Sequence, residues 1–318
     1  MKKKINIIIK YIYNLKMGCG QGKSLDDREK LEQLRNRFPT CRKSINLSKK
    51  IDSLAVLDSN QIFLGANDEL QLLDLKTDNI STFSTEHKGR INVLIKLNDG
   101  RIVSGGQDKT IKVWNIDSKQ SLMTLTGHKS MIWTLCEING NKLISGSSDK
   151  TAIIWDLKKK KLDFELYKDK EISSVLQLKN GKVLLCSENN LCLFDIKTKK
   201  KLTNLEIPTG IWCMKELYDG RIAIGKGNGE ILILEVDNAI KIGLELKGHK
   251  KSVNAIIELA NHKLVSAADE NNMILWNLND PEAKYFIEGH TDKVSNVVNL
   301  EGNKFVSVSK DQTLKIWE

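Results

Sequence analysis

Proline is nearly absent, three residues in 318, which excludes a Pro-rich linker or a polyproline segment. Cysteine is sparse and unpatterned. Cys19, Cys41, Cys136, Cys186, Cys192 and Cys213 form no CxxC pair and keep no regular spacing, which argues against a disulfide framework and for a reducing compartment. No apolar run approaches the roughly 18 residues of a membrane-spanning helix. A one-sided charge is missing too. The net charge of +10 comes from 50 basic residues mixed with 40 acidic ones, and no nucleic-acid-binding motif accompanies them. The surplus of lysine reads as a solvated surface, and no nucleic-acid partner is expected.

The first forty residues stand apart. Residues 1–16, MKKKINIIIKYIYNLK, use only Met, Lys, Ile, Asn, Tyr and Leu. Such AT-codon residues suit translated upstream sequence from an AT-rich genome; a short interfacial anchor is the competing reading. Met17 then begins MGCGQGKS. With a start there, Gly18 becomes N-terminal after Met removal and Cys19 lies beside it. That resembles a myristoylation signal with an adjacent palmitoylation cysteine, although Gly22 stands where Ser or Thr is preferred. Two acyl chains hold a protein on a membrane where one does not. Removing residues 1–16 deletes five lysines and no acid, so +10 becomes +5. A phosphate loop is rejected: Met17 occupies the slot of its first Gly, and no parallel α/β pattern follows. Ser24-Leu25-Asp26-Asp27 starts a capping-box-like helix that stops before Pro39, with Leu31 and Leu34 as a thin apolar stripe. The domain reading is residues 1–16 as a doubtful upstream segment, 17–42 as an extension and 43–318 as one repeat domain.

What is abundant is one pattern. Residues 127–156, GHKSMIWTLCEINGNKLISGSSDKTAIIWD, hold three short apolar runs broken by Gly, Asn and Asp, as strands of a small antiparallel sheet are. With the Trp of this stretch as marker, equivalent positions fall at Leu73, Trp114, Trp155, Phe194, Leu234, Trp276 and Trp317. The gaps are 41, 41, 39, 40, 42 and 41 residues. Seven copies of that period match a radial array of four-stranded units.

The residues GHK…SGSSDKTAIIWD at 127–156, HKG…SGGQDKTIKVWN at 87–115, GHK…SAADENNMILWN at 248–277 and GHT…SVSKDQTLKIWE at 289–318 resemble the WD-repeat family. The resemblance covers about residues 43–318. It implies an all-β fold, a seven-bladed β-propeller of four-stranded antiparallel blades, here with the short helical N-terminal extension. It also implies a non-enzymatic scaffold or adaptor, monomeric within a complex, cytoplasmic, and tethered to a membrane if Gly18 and Cys19 are acylated. A ubiquitin-ligase substrate receptor and a G-protein-β-like subunit are the alternatives. Neither a box-like helical module nor a long coiled coil is visible.

Three repeats share a quartet: His87, Ser104, Asp108, Trp114; His128, Ser145, Asp149, Trp155; and His290, Ser307, Asp311, Trp317. Ser, His and Asp together suit nucleophilic catalysis, but a catalytic triad occurs once in a chain. By resemblance each quartet is a buried network that ties strands together. His249, Ser266 and Trp276 belong to a fourth, with Glu270 at the Asp position and Asp269 before it. His262 alone is left over, in a turn. No catalytic residue, metal or cofactor is expected. The blades ending at Leu73, Phe194 and Leu234 lack the quartet, and blades one and four are a residue short between their second and third strands.

Ring closure requires an outer strand for the last blade, and Ser44–Leu47 (SINL) is placed to supply it. On the face carrying His and Asp, the slots at the start of the inner strands hold Asp52, Asn92, Trp133, Ser173, Trp212, Asn254 and Ser295. Trp133, Trp212, Met131, Arg90 and Asn92 are the candidate partner-binding residues, since Trp and Arg are enriched at binding hot spots. On the other face, Lys158–Lys161 and Lys197–Lys201 form a basic cluster suited to anionic lipid or to plain solvation.

Overall fold

The computed structural model describes residues 38–318 apart from 84, 85, 140 and 238. Gly18, Cys19 and the helix expected after Ser24 lie outside the described residues. Among the described residues every regular element is a strand.

The strands form seven four-stranded antiparallel sheets. Blade 1 comprises Ser53–Val56, Gln61–Ala66, Glu69–Asp74 and Ile80–Phe83. Blade 2 comprises Ile91–Lys96, Ile102–Gly106, Thr110–Asn115 and Gln120–Thr126. Blade 3 comprises Ile132–Ile138, Lys142–Ser147, Thr151–Asp156 and Lys161–Lys168. Blade 4 comprises Ile172–Gln177, Val183–Ser187, Asn190–Asp195 and Lys200–Glu206. Blade 5 comprises Ile211–Glu216, Ile222–Lys226, Ile231–Val236 and Ile240–Leu246. Blade 6 comprises Val253–Leu259, Lys263–Ala268, Met273–Asn277 and Asp280–Ile287. Blade 7 takes Val294–Asn299, Phe305–Ser309 and Thr313–Trp317, and its fourth strand is Cys41–Asn46. The first strands of successive blades touch one another around a closed ring, with blade 7 meeting blade 1. The fold is a seven-bladed β-propeller.

The burial of each strand follows its place in this ring. Second strands are buried along nearly their whole length, because neighbouring blades cover both faces. Outer strands alternate between exposed and half-buried residues. Close stacking of most blades uses a small residue in the second strand, with Val308 in its place in blade 7. A Cβ on Gly146 would run into Ile172, and one on Gly105 would come within 2.9 Å of an Ile132 methyl. The same position holds Cys186 in blade 4 and Ala267 in blade 6, paired with Ser174 and Ala255.

Closure is made by the N-terminal strand. Ile45 pairs with Leu314 and Ser44 with Lys315, so the edge of Thr313–Trp317 is covered. The strand starts earlier than SINL, at Cys41. Leu47 lies just beyond it, buried, with its N–H on the Gln312 carbonyl at 2.8 Å. Blades 1 and 4 have two-residue turns between second and third strands, Asn67-Asp68 and Glu188-Asn189, where blades 2 and 3 have three. On the opposite face, Gly100, Gly181 and Gly220 close their turns at φ of 89°, 82° and 87°, which only glycine adopts without strain.

Candidate functional site

Four polar networks sit where inter-blade loops meet hairpin turns. In blade 2, Trp114 Nε1 donates to Ser104 Oγ at 2.8 Å, and Ser104 Oγ lies 2.7 Å from His87 Nε2. His87 Nδ1 is 2.8 Å from Asp108 Oδ2. Blade 3 repeats this with Trp155, Ser145, His128 and Asp149 at 2.7, 2.6 and 2.8 Å. Blade 7 does so with Trp317, Ser307, His290 and Asp311 at 2.8, 2.7 and 2.8 Å. Blade 6 has Trp276, Ser266 and His249 at 2.8 and 2.7 Å, with Glu270 Oε2 3.2 Å from the imidazole.

The donor inventory assigns the proton positions. An indole N–H only donates, so Ser Oγ accepts from it, and with the Nδ1-protonated imidazole the Ser hydroxyl donates to His Nε2. The imidazole is then neutral and donates through Nδ1 to the carboxylate. Each carboxylate also takes the backbone N–H after its His: Lys88, Lys129 and Thr291 at 3.1, 2.7 and 3.0 Å. Glu270 does the same for Lys250 at 2.6 Å through its other oxygen. The longer side chain thus replaces Asp with both contacts kept. Thr110, Thr151 and Thr313 hydroxyls donate to the second carboxylate oxygen at 2.9, 2.5 and 2.7 Å. These threonines were missed from the sequence; the recurrent Asp-x-Thr of DKT, DKT and DQT was their signal.

Charge states follow from burial. Burial pushes His128, His249 and His290 below the ordinary imidazole value, and the neighbouring carboxylate offsets this only in part. Burial alone would raise Asp311. The Thr313 hydroxyl, the Thr291 N–H and His290 outweigh it and bring the carboxyl down to about 2. Asp108 and Asp149 are held low in the same way. The His87, His128 and His249 side chains are 0% exposed, so these Ser–His–carboxylate sets are closed off from solvent at the imidazole.

The candidate recognition residues lie at the starts of the first strands. Trp133 is 41% exposed and Trp212 59%. The Trp133 indole N–H is held by Ser148 Oγ at 2.7 Å and Glu171 Oε1 at 3.0 Å, and Ser148 also donates to Glu171. Trp212 lies over Gly227 in the equivalent loop of blade 5, where an added Cβ would come 3.1 Å from its Nε1. Met131 is half-buried and its carbonyl accepts the Ser148 N–H at 3.1 Å. Arg90 is ion-paired with Asp52 at 3.3 Å, and Lys50 holds the other Asp52 oxygen at 2.9 Å. Asn92 is half-buried and its amide donates to Ile132 O of the next blade at 3.0 Å. Ser173 and Asn254 make the same crossing, to Ile211 O at 2.9 Å and Val294 O at 3.4 Å. Trp133 crosses to the next blade through Glu171 instead, and Ser295 bonds within its own blade to Val308 O at 3.2 Å. His262 is exposed in the turn between the first two strands of blade 6. Among the described residues no group of His, Cys, Asp and Glu could hold a metal ion.

Comparison with known proteins agrees with this geometry. The family model described as WD domain, G-beta repeat matches residues 78–115, 119–156 and 281–318. Those stretches end in blades 2, 3 and 7 and contain Asp108, Asp149 and Asp311. The human protein named WD repeat-containing protein 41 is 27% identical over 120 residues, 36% of this chain. The match spans 25% of that protein's length. Seven four-stranded blades, four of them holding a network of Trp, Ser, His and carboxylate, make this chain a seven-bladed β-propeller with WD-repeat matches ending in blades 2, 3 and 7.

Proposed function

We propose that this chain is a scaffold whose partner docks across blades 3 to 5, on the face bearing Trp133 and Trp212. The WD-repeat propeller is a protein-interaction fold, which supports an adaptor role in general. The observation that carries the specific reading is the pair of exposed indoles. Large aromatic side chains facing water are unfavourable unless a partner covers them, and Trp is prominent among binding hot spots. The Trp133 N–H is already bonded, so the ring offers its faces. Those faces suit an apolar side chain or a cation, and the Glu171 carboxylate beside it favours the cation.

Affinity purification of the chain and of its Trp133→Ala/Trp212→Ala variant tests this. The expected outcome is loss of a stoichiometric partner with an unchanged melting curve. An identical set of co-purifying proteins would sink the proposal.

The same reading places the scaffold at a membrane through acylated Gly18 and Cys19. Support comes from the MGCG sequence at Met17 and from the need for two acyl chains for stable anchoring. Intact mass spectrometry of the native protein decides it: two acyl additions on a chain starting at Gly18 are expected, and an unmodified chain starting at Met1 would refute it.

A further inference from the structure

The circumference of the propeller is not uniform, and its basic side carries apolar rungs. The turn into the outer strand of blade 3 is Lys158–Lys161, and that of blade 4 holds Lys197 and Lys199–Lys201; all are exposed. These turns contain one acid each, and both acids are engaged by the backbone. Asp156 Oδ1 accepts the N–H of Lys158 and Lys159 at 3.0 and 2.9 Å, and Asp195 Oδ1 accepts that of Lys197 at 2.8 Å. Asp163, next along the strand, is paired with Lys142 at 2.7 Å. Asp156 also pairs with the Lys159 ammonium at 3.6 Å, and the other lysines of the two turns are exposed.

Directly after each lysine turn comes an exposed aliphatic residue. Leu162 is 38% exposed and Leu202 43%. The flanking blades also expose an aliphatic residue on the outer strand, Leu122 at 43% and Ile242 at 49%, each behind a single lysine, Lys119 and Lys241. The four sites are 40 residues apart in sequence, with Leu162 and Ile242 paired to the marker residues Trp155 and Leu234 and Leu122 and Leu202 one position further along their strands. Leu202 is moreover the bulged residue of its strand, between Lys201 and Thr203, and so lies outside the hydrogen-bond ladder. The Lys199 ammonium sits 4.0 Å over the Phe164 ring, joining the two blades' turns. On blade 6 the equivalent outer strand begins Asp280-Pro281-Glu282, so the pattern ends there.

We infer that the rim of blades 2 to 5, centred on the lysine turns of blades 3 and 4, is a docking surface for an anionic lipid bilayer. The argument is charge complementarity combined with apolar rungs. Each basic residue near an anionic membrane surface contributes about 1 kcal/mol, and neighbouring aliphatic groups enter the interfacial region. A nucleic acid would call for aromatic platforms among the lysines, and the one aromatic ring here lies beneath Lys199. An acidic protein segment would use the lysines but gain little from a row of separated leucines. The inference does not depend on the Trp133–Trp212 surface, nor on acylation of Gly18 and Cys19.

The test uses the full chain carrying Gly18→Ala/Cys19→Ser, which removes both proposed acylation sites. Sedimentation with phosphatidylserine–phosphatidylcholine vesicles is compared with pure phosphatidylcholine vesicles. Binding to the anionic vesicles alone is expected, weakening as salt rises. Changing Lys158, Lys160, Lys197 and Lys200 to Glu should lower the partition coefficient at least about tenfold. Leu162→Ser/Leu202→Ser should lower it about threefold or more. All six positions are exposed, so melting curves should hold. Trp133→Ala/Trp212→Ala should bind vesicles as the parent does, which keeps this inference separable from the partner proposal. Equal binding to both vesicle types, or binding unchanged by lysine reversal, would overturn the inference. Loss on lysine reversal with no effect of the leucine changes would overturn the role of the apolar rungs and leave a purely electrostatic contact.

Discussion

Blades 3 and 4 are neighbours of equal size built by different means. Blade 3 closes its hairpin around Trp155, whose N–H begins a chain of hydrogen bonds through Ser145 and His128 to Asp149. Blade 4 has Phe194 there, packed edge-on against Tyr167 with ring centroids 6.1 Å apart. Its turn is a residue shorter, leaving no position for the Asp. Where blade 3 carries Ser145, blade 4 has Leu185, fully buried in an apolar cluster. Blade 1 resembles blade 4, with Phe63 and Phe83 edge to face at 5.2 Å. Blade 5 has Leu234 at the marker and a Lys226–Glu230 pair at 2.6 Å by its turn. The blade architecture therefore needs a large buried group at the marker position and a closed turn; the polar network is one of two ways to supply them. What it adds is directional. It fixes the incoming loop to the hairpin turn, which apolar packing does less specifically.

The comparison can be broken at several levels. Deleting residues 41–50 removes the fourth strand of blade 7 and with it Ile45 and Leu47, both buried. It uncovers the edge of Thr313–Trp317, and an insoluble or molten product is expected. A soluble product with a cooperative thermal transition would count against closure by this strand. Next in size, Trp155→Ala should cost about 3–5 kcal/mol in chemical denaturation, and Phe194→Ala a similar amount. The two differ in kind: only the first leaves Ser145 and His128 with a broken chain. Trp155→Phe, which keeps most of the volume, should still cost about 1–3 kcal/mol for the orphaned polar groups.

Smaller again is the loss of one carboxylate. Asp149→Ala should cost about 1–3 kcal/mol and lower the melting temperature. Glu270→Ala should cost about 1 kcal/mol, near the low end, because its contact to His249 is 3.2 Å rather than 2.8 Å. An equal or larger loss at Glu270 would show that distance does not rank these networks.

The pH dependence is the gentlest probe. The folded pKa values of His128, His249 and His290 lie below the ordinary imidazole value of 6.5, so the unfolded chain takes up these protons first. Stability should be constant above that value and fall as pH drops through it. A second loss should follow between 3.8 and about 2 as Asp311 protonates. Thermal melts across this range check it, and His128→Gln should make the first slope shallower. A melting temperature that rises on acidification below 6.5 would contradict neutral imidazoles in the fold.

Much of this was legible in the sequence because the period is covalent. Trp114, Trp155, Trp276 and Trp317 recur at positions a reader can count, and so does a His-to-carboxylate spacing of 21 residues. The weak blades were readable from the same count, since RIAIG and ILILEV alternate as strands must. What was not legible depends on how one blade leans on the next. Asn92 was singled out for a partner, and the structure shows its amide on Ile132 O, forty residues away. Ser148 and Glu171 orient Trp133 from two blades, and no local pattern announces such a pair. The exposed row of Leu122, Leu162, Leu202 and Ile242 shares one 40-residue spacing, but each is an ordinary strand residue until exposure is known.

The central claim is that His and carboxylate act as one unit within a blade. A double-mutant cycle on His128→Ala and Asp149→Ala, read by chemical denaturation, tests it most directly. A coupling energy of about 1 kcal/mol or more is predicted, with the double variant less damaged than the two single losses added together. Additive losses, with no coupling, would contradict the network.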